Sequence, residues 1–159
     1  MANYTLEKKD RFNVLGLGTE LLSDYTDSAG IAREKSAFWS AVAQDGRLDT
    51  LKAISTNDYI FAVNEAVNNK MMHYAGVITD ESVPQESRVI EFPAGDYLVV
   101  RGEGSTAEEL SHALTYAAFA EALPEVKDFI YVGGPNATVE MEQRDGRVVG
   151  EMWIPVVPA

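Results

Sequence analysis

Apolar positions along the chain switch between a period of two and a period near 3.6, and the switching predicts strand, helix and hairpin in succession, twice over. Residues 4–22 read as one extended stretch with room for a bulge, in which Phe12, Val14, Leu15 and Leu17 lead through the Gly16, Gly18 pair to an Asp- and Ser-rich turn. Ser28 is placed to cap a helix running to about Gly46, with Ile31, Phe38 and Val42 on one face and Trp39 beside that stripe. After a connection containing Asn57 and Asp58, residues 59–66 and 71–78 read as strands joined by a turn at 67–70.

The order then repeats. Residues 79–88 are polar and contain Pro84, which marks a connector between halves. Residues 89–92 and 96–101 are extended, with Pro93, Ala94 and Gly95 between them, and Gly102 and Gly104 lead into a second helix. Ser105 and Glu108 have capping-box spacing, Leu110, Leu114, Ala117 and Ala118 form the buried stripe, and Pro124 predicts an end near Leu123. Residues 138–144 and 149–156 form a hairpin about Asp145 and Gly146, a dipeptide suited to a type I′ turn. Antiparallel hairpins with inserted helices predict an α+β fold, here one domain over 1–159 with pseudo-repeats at about 4–79 and 88–157.

Composition narrows the function classes. Of 159 residues, 46% are hydrophobic and 24% charged, an ordinary globular mixture. Lys and Arg total 13 against 25 Asp and Glu, a net charge of -12, so the surface field repels a phosphate backbone and no direct nucleic-acid partner is expected. Cysteine is absent, which excludes a thiolate nucleophile and a Cys-ligated zinc. The first ten residues lack the pattern of a secretory signal and no stretch has the length of a membrane span, so a cytoplasmic setting without a membrane partner is expected.

The familiar catalytic motifs are missing. Gly16-Leu17-Gly18 opens like a dinucleotide fingerprint, but Leu21 stands where the third glycine belongs. Gly102-Glu103-Gly104 precedes a helix, yet Glu103 puts negative charge where a phosphate would sit. His73 and His112 have no acidic partners at metal-ligand spacing, so neither a metal nor a cofactor is expected. What remains is a set of aromatics near acidic residues, Phe38, Trp39, Tyr74, Tyr97, Tyr131 and Trp153, all equally suited to packing a core. Glu140 stands between Val139 and Met141, where burial is costly without a partner; strand alternation puts it with Thr138 and Glu142, and by itself that face reads as wet.

Five stretches together resemble the GyrI-like effector-binding domain, the drug-sensing module of AraC- and MerR-type regulators. They are Phe38-Trp39, His73-Tyr74-Ala75-Gly76-Val77, Phe92-Pro93-Ala94-Gly95-Asp96-Tyr97, Val139-Glu140-Met141 and Glu151-Met152-Trp153-Ile154-Pro155-Val156. The resemblance implies two pseudo-symmetric halves with two helices on one side of the sheet and a pocket between the halves. It also implies that Glu140 faces a bulky aromatic, often cationic, small molecule, with Phe38, Trp39, Tyr74, Tyr97 or Trp153 supplying ring faces. The family often has an aromatic two residues after the glutamate, where this chain has Glu142. The resemblance favours a stand-alone binding module that sequesters or senses its ligand, and any DNA reading would fall to a separate chain. An alternative it also carries is hydrolysis of cyclopropane-bearing alkylating natural products with Glu140 as the catalytic residue, and a further one is a gyrase-inhibitor-like contact with a protein partner.

Overall fold

In chain order the strands are β1 (Tyr4–Lys9), β2 (Phe12–Leu21), β3 (Ile60–Val67), β4 (Lys70–Val77), β5 (Ser87–Phe92), β6 (Gly95–Gly104), β7 (Phe129–Ile130), β8 (Asn136–Arg144) and β9 (Arg147–Pro158). Helices α1 (Ser28–Gln44) and α2 (Arg47–Ile54) follow β2. Helix α3 (Ala107–Tyr116) follows β6 and continues through a π-helical stretch, Ala117–Ala122, into a last turn, α4 (Leu123–Glu125). The computed structural model describes residues 4–80, 87–131 and 133–159. Among them, no helix is long and apolar enough to cross a membrane.

The strands form one antiparallel sheet in the order β1-β6-β9-β8-β3-β4-β2-β5, with β7 added to the far end of β9. This order is a palindrome: β5-β2-β4-β3 on one flank corresponds to β1-β6-β9-β8 on the other. The flanks meet at β3 and β8, where Ile60 pairs with Glu140 and Asn64 with Asn136. The α+β class and the duplicated strand–helix–hairpin plan therefore hold. Both hairpin turns have the expected chemistry, with positive φ at Asn68 and Asn69 (51° and 65°) and at Asp145 and Gly146 (52° and 76°).

Several local readings need correction. Residues 4–22 are two strands: the chain breaks around Asp10 and Arg11, β1 pairs with β6, and β2 lies between β4 and β5. The sequence halves thus exchange their edge strands, since β5 returns to β2 while β1 joins β6. Asp27, not Ser28, caps α1 by accepting from the Gly30 amide, and α1 stops at Gln44 before Gly46 turns the chain, at φ 86°, into a helix not foreseen, α2. The cap of α3 is Thr106, accepting from the Glu109 amide, one residue beyond the expected pair. Gly104 packs directly against this helix start, where a Cβ would lie 2.6 Å from the Leu110 amide nitrogen. Pro124 falls inside the last turn, and the continuous helix ends at Glu125, two residues beyond the expected Leu123. Of the predicted connector, residues 81–86 lie outside the described residues.

The sheet is rolled. In a flat sheet β2 and β6 would stand five spacings apart, roughly 24 Å, yet the ring centroids of Phe12 on β2 and Tyr97 on β6 are 6.1 Å apart. Phe12 also stacks on Phe92 at 4.6 Å and meets the Trp153 ring edge-on at 5.6 Å. These rings, with Phe61, Val63, Tyr74, Val99 and Val139, fill the inner, concave face as one buried cluster. The helices cover the other face in two separate cores: α1 and α2 over Leu17, Ile60, Ala75 and Val77, and α3 with the π-helical stretch over Leu98, Val100, Met152 and Ile154.

Gly150 on β9 lets β8 approach closely at the register shift between Glu140 and Glu142, since a Cβ there would lie 2.1 Å from the Val139 carbonyl oxygen. Gly150→Ala is expected to destabilise the fold by about 1–3 kcal/mol, seen as a lower melting temperature by circular dichroism. An unchanged melt would show that the shifted register relaxes freely.

Candidate functional site

The joint between β3 and β8 runs beneath the gap between the two helix-covered cores. Alternation along β8 sends Ala137 and Val139 into the inner cluster and Thr138 and Glu140 to the helix-bearing face, where the Thr138 hydroxyl lies 3.3 Å from that of Ser111 on α3. Glu140 is flanked in register by Ile60, part of the α1–α2 core, and by Gly150, which lies under Leu110 of α3. It therefore sits at the seam of the two cores, half-buried rather than on a wet face. Between the helices, Ala32, Arg33, Ser36, Ala37 and Ser40 of α1 and Glu108 of α3 bound an open groove of about 410 Å³, whose lining does not include Glu140, Phe38 or Trp39.

Glu140 makes no hydrogen bond or ion pair among the described residues. Burial pushes its carboxyl above the usual range, and the charge of Lys52 on α2 only partly opposes that shift. Glu142, past the register shift, is exposed and paired with Arg144, so it stands apart from this seam.

The sequence-derived aromatics divide between the two faces. Phe38 and Trp39 lie on the helix-bearing face with Glu140, packed against the core beneath α1. Tyr74, Tyr97 and Trp153 belong to the inner cluster on the opposite face. Their polar ends are engaged there: the Tyr74 hydroxyl donates to Glu65 (3.0 Å), that of Tyr97 to the Pro93 carbonyl (2.7 Å), and the Trp153 Nε1–H to Glu151 (2.8 Å). The sheet thus keeps these rings apart from Glu140.

The floor of the seam holds a feature the sequence reading missed. Trp39 Nε1–H donates to His73 Nε2 (2.9 Å), and His73 Nδ1 lies 2.8 Å from Asn64 Oδ1. Asn64 Nδ2 then donates to Asn136 Oδ1 (3.0 Å), Asn136 Nδ2 to the Tyr131 hydroxyl (3.2 Å), and that hydroxyl to the Gly134 carbonyl (2.7 Å). With Nε2 accepting from tryptophan, Nδ1 must carry the only ring proton, so every bond in the chain runs in one direction. Burial, followed by the nearby charge of Lys35, holds His73 neutral and lowers its pKa to about 3. The signal available in the sequence was the period-two placement of Asn64 and His73 on adjacent strands, but only the register puts them side by side. Among the described residues there is no cluster of His, Asp and Glu that could hold a metal.

Because His73 has a depressed folded-state pKa, its contribution to stability is complete above the ordinary value of 6.5 and is lost as pH falls from there toward about 3. Its ¹⁵N resonances should show the Nδ1–H tautomer without titration across the neutral range. Asn64→Leu, which leaves His73 and Asn136 unpaired, should cost about 1–3 kcal/mol in denaturant melts. Glu140 has the opposite sign: its raised pKa makes stability fall as pH rises from the unfolded carboxyl pKa through the folded one. Glu140→Gln should therefore melt higher than the wild type at neutral pH, with the gap closing in acid; equal melts at both ends would contradict an unpaired buried charge.

The comparisons with known proteins agree with this architecture. The chain superposes on the structure of SAV2435 bound to tetraphenylphosphonium with a TM-score of 0.78 at 16% identity, covering 98% of this chain and 94% of that one. The EcmrR C-terminal domain matches at TM-score 0.62 and 10% identity over 100% and 99% of the two chains. An integron cassette protein of Vibrio cholerae matches at 0.57 and 11% over 97% and 95%. At such identities the likeness is one of fold. No curated protein matches the sequence. The family model for Cass2, described as an integron-associated effector-binding protein, matches residues 5–156. Since that match spans almost the whole chain, with the GyrI-like resemblance of its motifs alongside it, the chain belongs to the Cass2 family of integron-associated effector-binding proteins.

Proposed function

We propose that this chain binds a bulky aromatic cation at the seam of the two helix-covered cores, entered from the groove between α1 and α3, with Glu140 as counter-charge and Phe38 and Trp39 as the nearby ring surface. One observation carries the reading: Glu140 is a half-buried carboxylate at the junction of two apolar cores, with no ion pair among the described residues. Such a group is costly in the empty protein, and a desolvated cation offsets the cost on binding. A strongly hydrated cation would gain less, because it must shed more water to reach the same carboxylate. Aromatic faces beside the cation add about 0.5–2 kcal/mol. The structural neighbour bound to tetraphenylphosphonium supports the choice of a large lipophilic cation as probe.

On this reading Tyr74, Tyr97 and Trp153 act from the inner face, holding the roll of the sheet that fixes the width of the groove. Hydrolysis by Glu140 is the less supported use of the same carboxylate, because no hydrogen bond among the described residues orients it toward a water.

Tetraphenylphosphonium is expected to raise the melting temperature of the wild type and to bind Glu140→Gln about tenfold or more weakly. Neutral triphenylphosphine oxide should bind both proteins alike. Equal tetraphenylphosphonium affinities for the two proteins would remove Glu140 from the site.

A further inference from the structure

A second charge faces the same seam without a partner among the described residues. Lys35 occupies the sheet-facing stripe of α1, four residues before Trp39, and is half-buried. Loss of water lowers its pKa, and its charge reaches His73 in the floor. No carboxylate among the described residues pairs with it. The chain carries 25 acidic residues, so this isolation is a property of the place, not of a shortage of acids. Glu34, the adjacent acid, is spent on the Leu22 and Ser23 amides at 2.8 and 3.0 Å. Glu108, across the groove, meets Ser36 at 3.5 Å.

The floor sets the distance between the two charges. Glu140 is level with Ile60 on β3, whereas His73 and the chain beneath Lys35 are level with Asn64. Four residues of strand separate these levels by roughly 13 Å, which the flexible lysine stem can shorten. Between them the floor is neutral: Ala62, Thr138, Asn64, Asn136 and an uncharged His73. The seam beside the groove therefore carries an acid, Glu140, at one level and a base, Lys35, at the other, with no ion pair joining them among the described residues.

We infer that the preferred ligand is amphoteric: an aromatic body with a cationic group at Glu140 and an anionic group, such as a carboxylate, at Lys35. This rests on the reading of the groove given above and adds the second pole. A monopolar cation fills only the Glu140 end and leaves the half-buried ammonium without a partner. An added carboxylate meets a charge whose hydration is already partly lost, and a hydrogen bond to such a charge is worth more than a neutral one.

The test compares rhodamine B, a zwitterion at neutral pH, with its ethyl ester, a cation of nearly the same shape, by fluorescence titration of the wild type, Lys35→Met, Lys35→Arg and Glu140→Gln. The expected result is that Lys35→Met weakens rhodamine B about tenfold while leaving the ester within about twofold, and that Lys35→Arg retains the preference. Glu140→Gln should weaken both dyes. If Lys35→Met lost its fold by circular dichroism, Lys35→Gln would provide the same readout. Equal effects of Lys35→Met on both dyes, or none on rhodamine B, would overturn the amphoteric assignment while leaving the cation site standing. Failure of the wild type to bind either dye, or an ester affinity indifferent to Glu140→Gln, would overturn the groove itself and this inference with it.

Discussion

The structure depends on one short ladder, Ile60–Asn64 of β3 against Asn136–Glu140 of β8, where the two flanks of the sheet join. Its register decides which side chains see the inner cluster and which see the helices. A slip by one residue would turn Glu140 and Asn64 into the aromatic interior and bring Val139 and Val63 out under the helices. The apolar residues make that slip prohibitive, because Val63, Ala137 and Val139 are fully buried among rings contributed by both flanks. The polar residues resist it as well, since the bonds from Trp39 to Tyr131 exist only in the observed pairing. Packing and polar satisfaction thus specify the same register, which is the consistency expected of a sequence with a single folded state.

Rolling the sheet gives its two faces different work. The inner face closes on itself, so large rings meet with little space between them and their polar ends find partners at the rim. The helix-bearing face cannot close in that way, because α1 with α2 and α3 with its π-helical extension cover separate territories. What lies between the territories is polar or small: Ala62, Asn64, Thr138, Asn136 and Glu140. A seam of that composition gives the helices little apolar surface to share, and the helix-lined groove is the physical result.

Much of the fold was legible in the sequence because its signals are local. Asp145-Gly146 and Asn68-Asn69 declare their turns by backbone chemistry alone, and the stripe of Leu110, Leu114 and Ala118 declares a helix by spacing. The misread positions are those that a distant contact decides. The α3 cap lies at Thr106 where Gly104 packs against Leu110, and the exchange of β1 for β5 breaks what looked like one long strand. The candidate site was legible only in part for the same reason. Glu140 stood out as a carboxylate among apolar neighbours, but sequence alone could not say that Tyr74, Tyr97 and Trp153 lie behind the sheet from it. Lys35 was hidden in plain view: in a stripe of Ile31, Phe38, Trp39 and Val42, a lysine looks like an interruption of the pattern until the floor beneath it is seen to be neutral.

That neutrality matters to the electrostatics of the whole groove. Had His73 kept an ordinary pKa, part of the population near neutral pH would carry a second positive charge beside Lys35, and the basic pole would grow and shrink with small changes in pH. The loss of water and, after it, the charge of Lys35 itself remove that option, leaving Lys35 as the basic charge over this part of the floor. The hydrogen bonds from Trp39 to Tyr131 tie α1 to three strands and to the segment after β7, so the helix carrying Lys35 and Trp39 cannot shift without breaking buried polar contacts. A groove wall held in this way is pre-organised, and little affinity is lost to ordering it when a ligand enters.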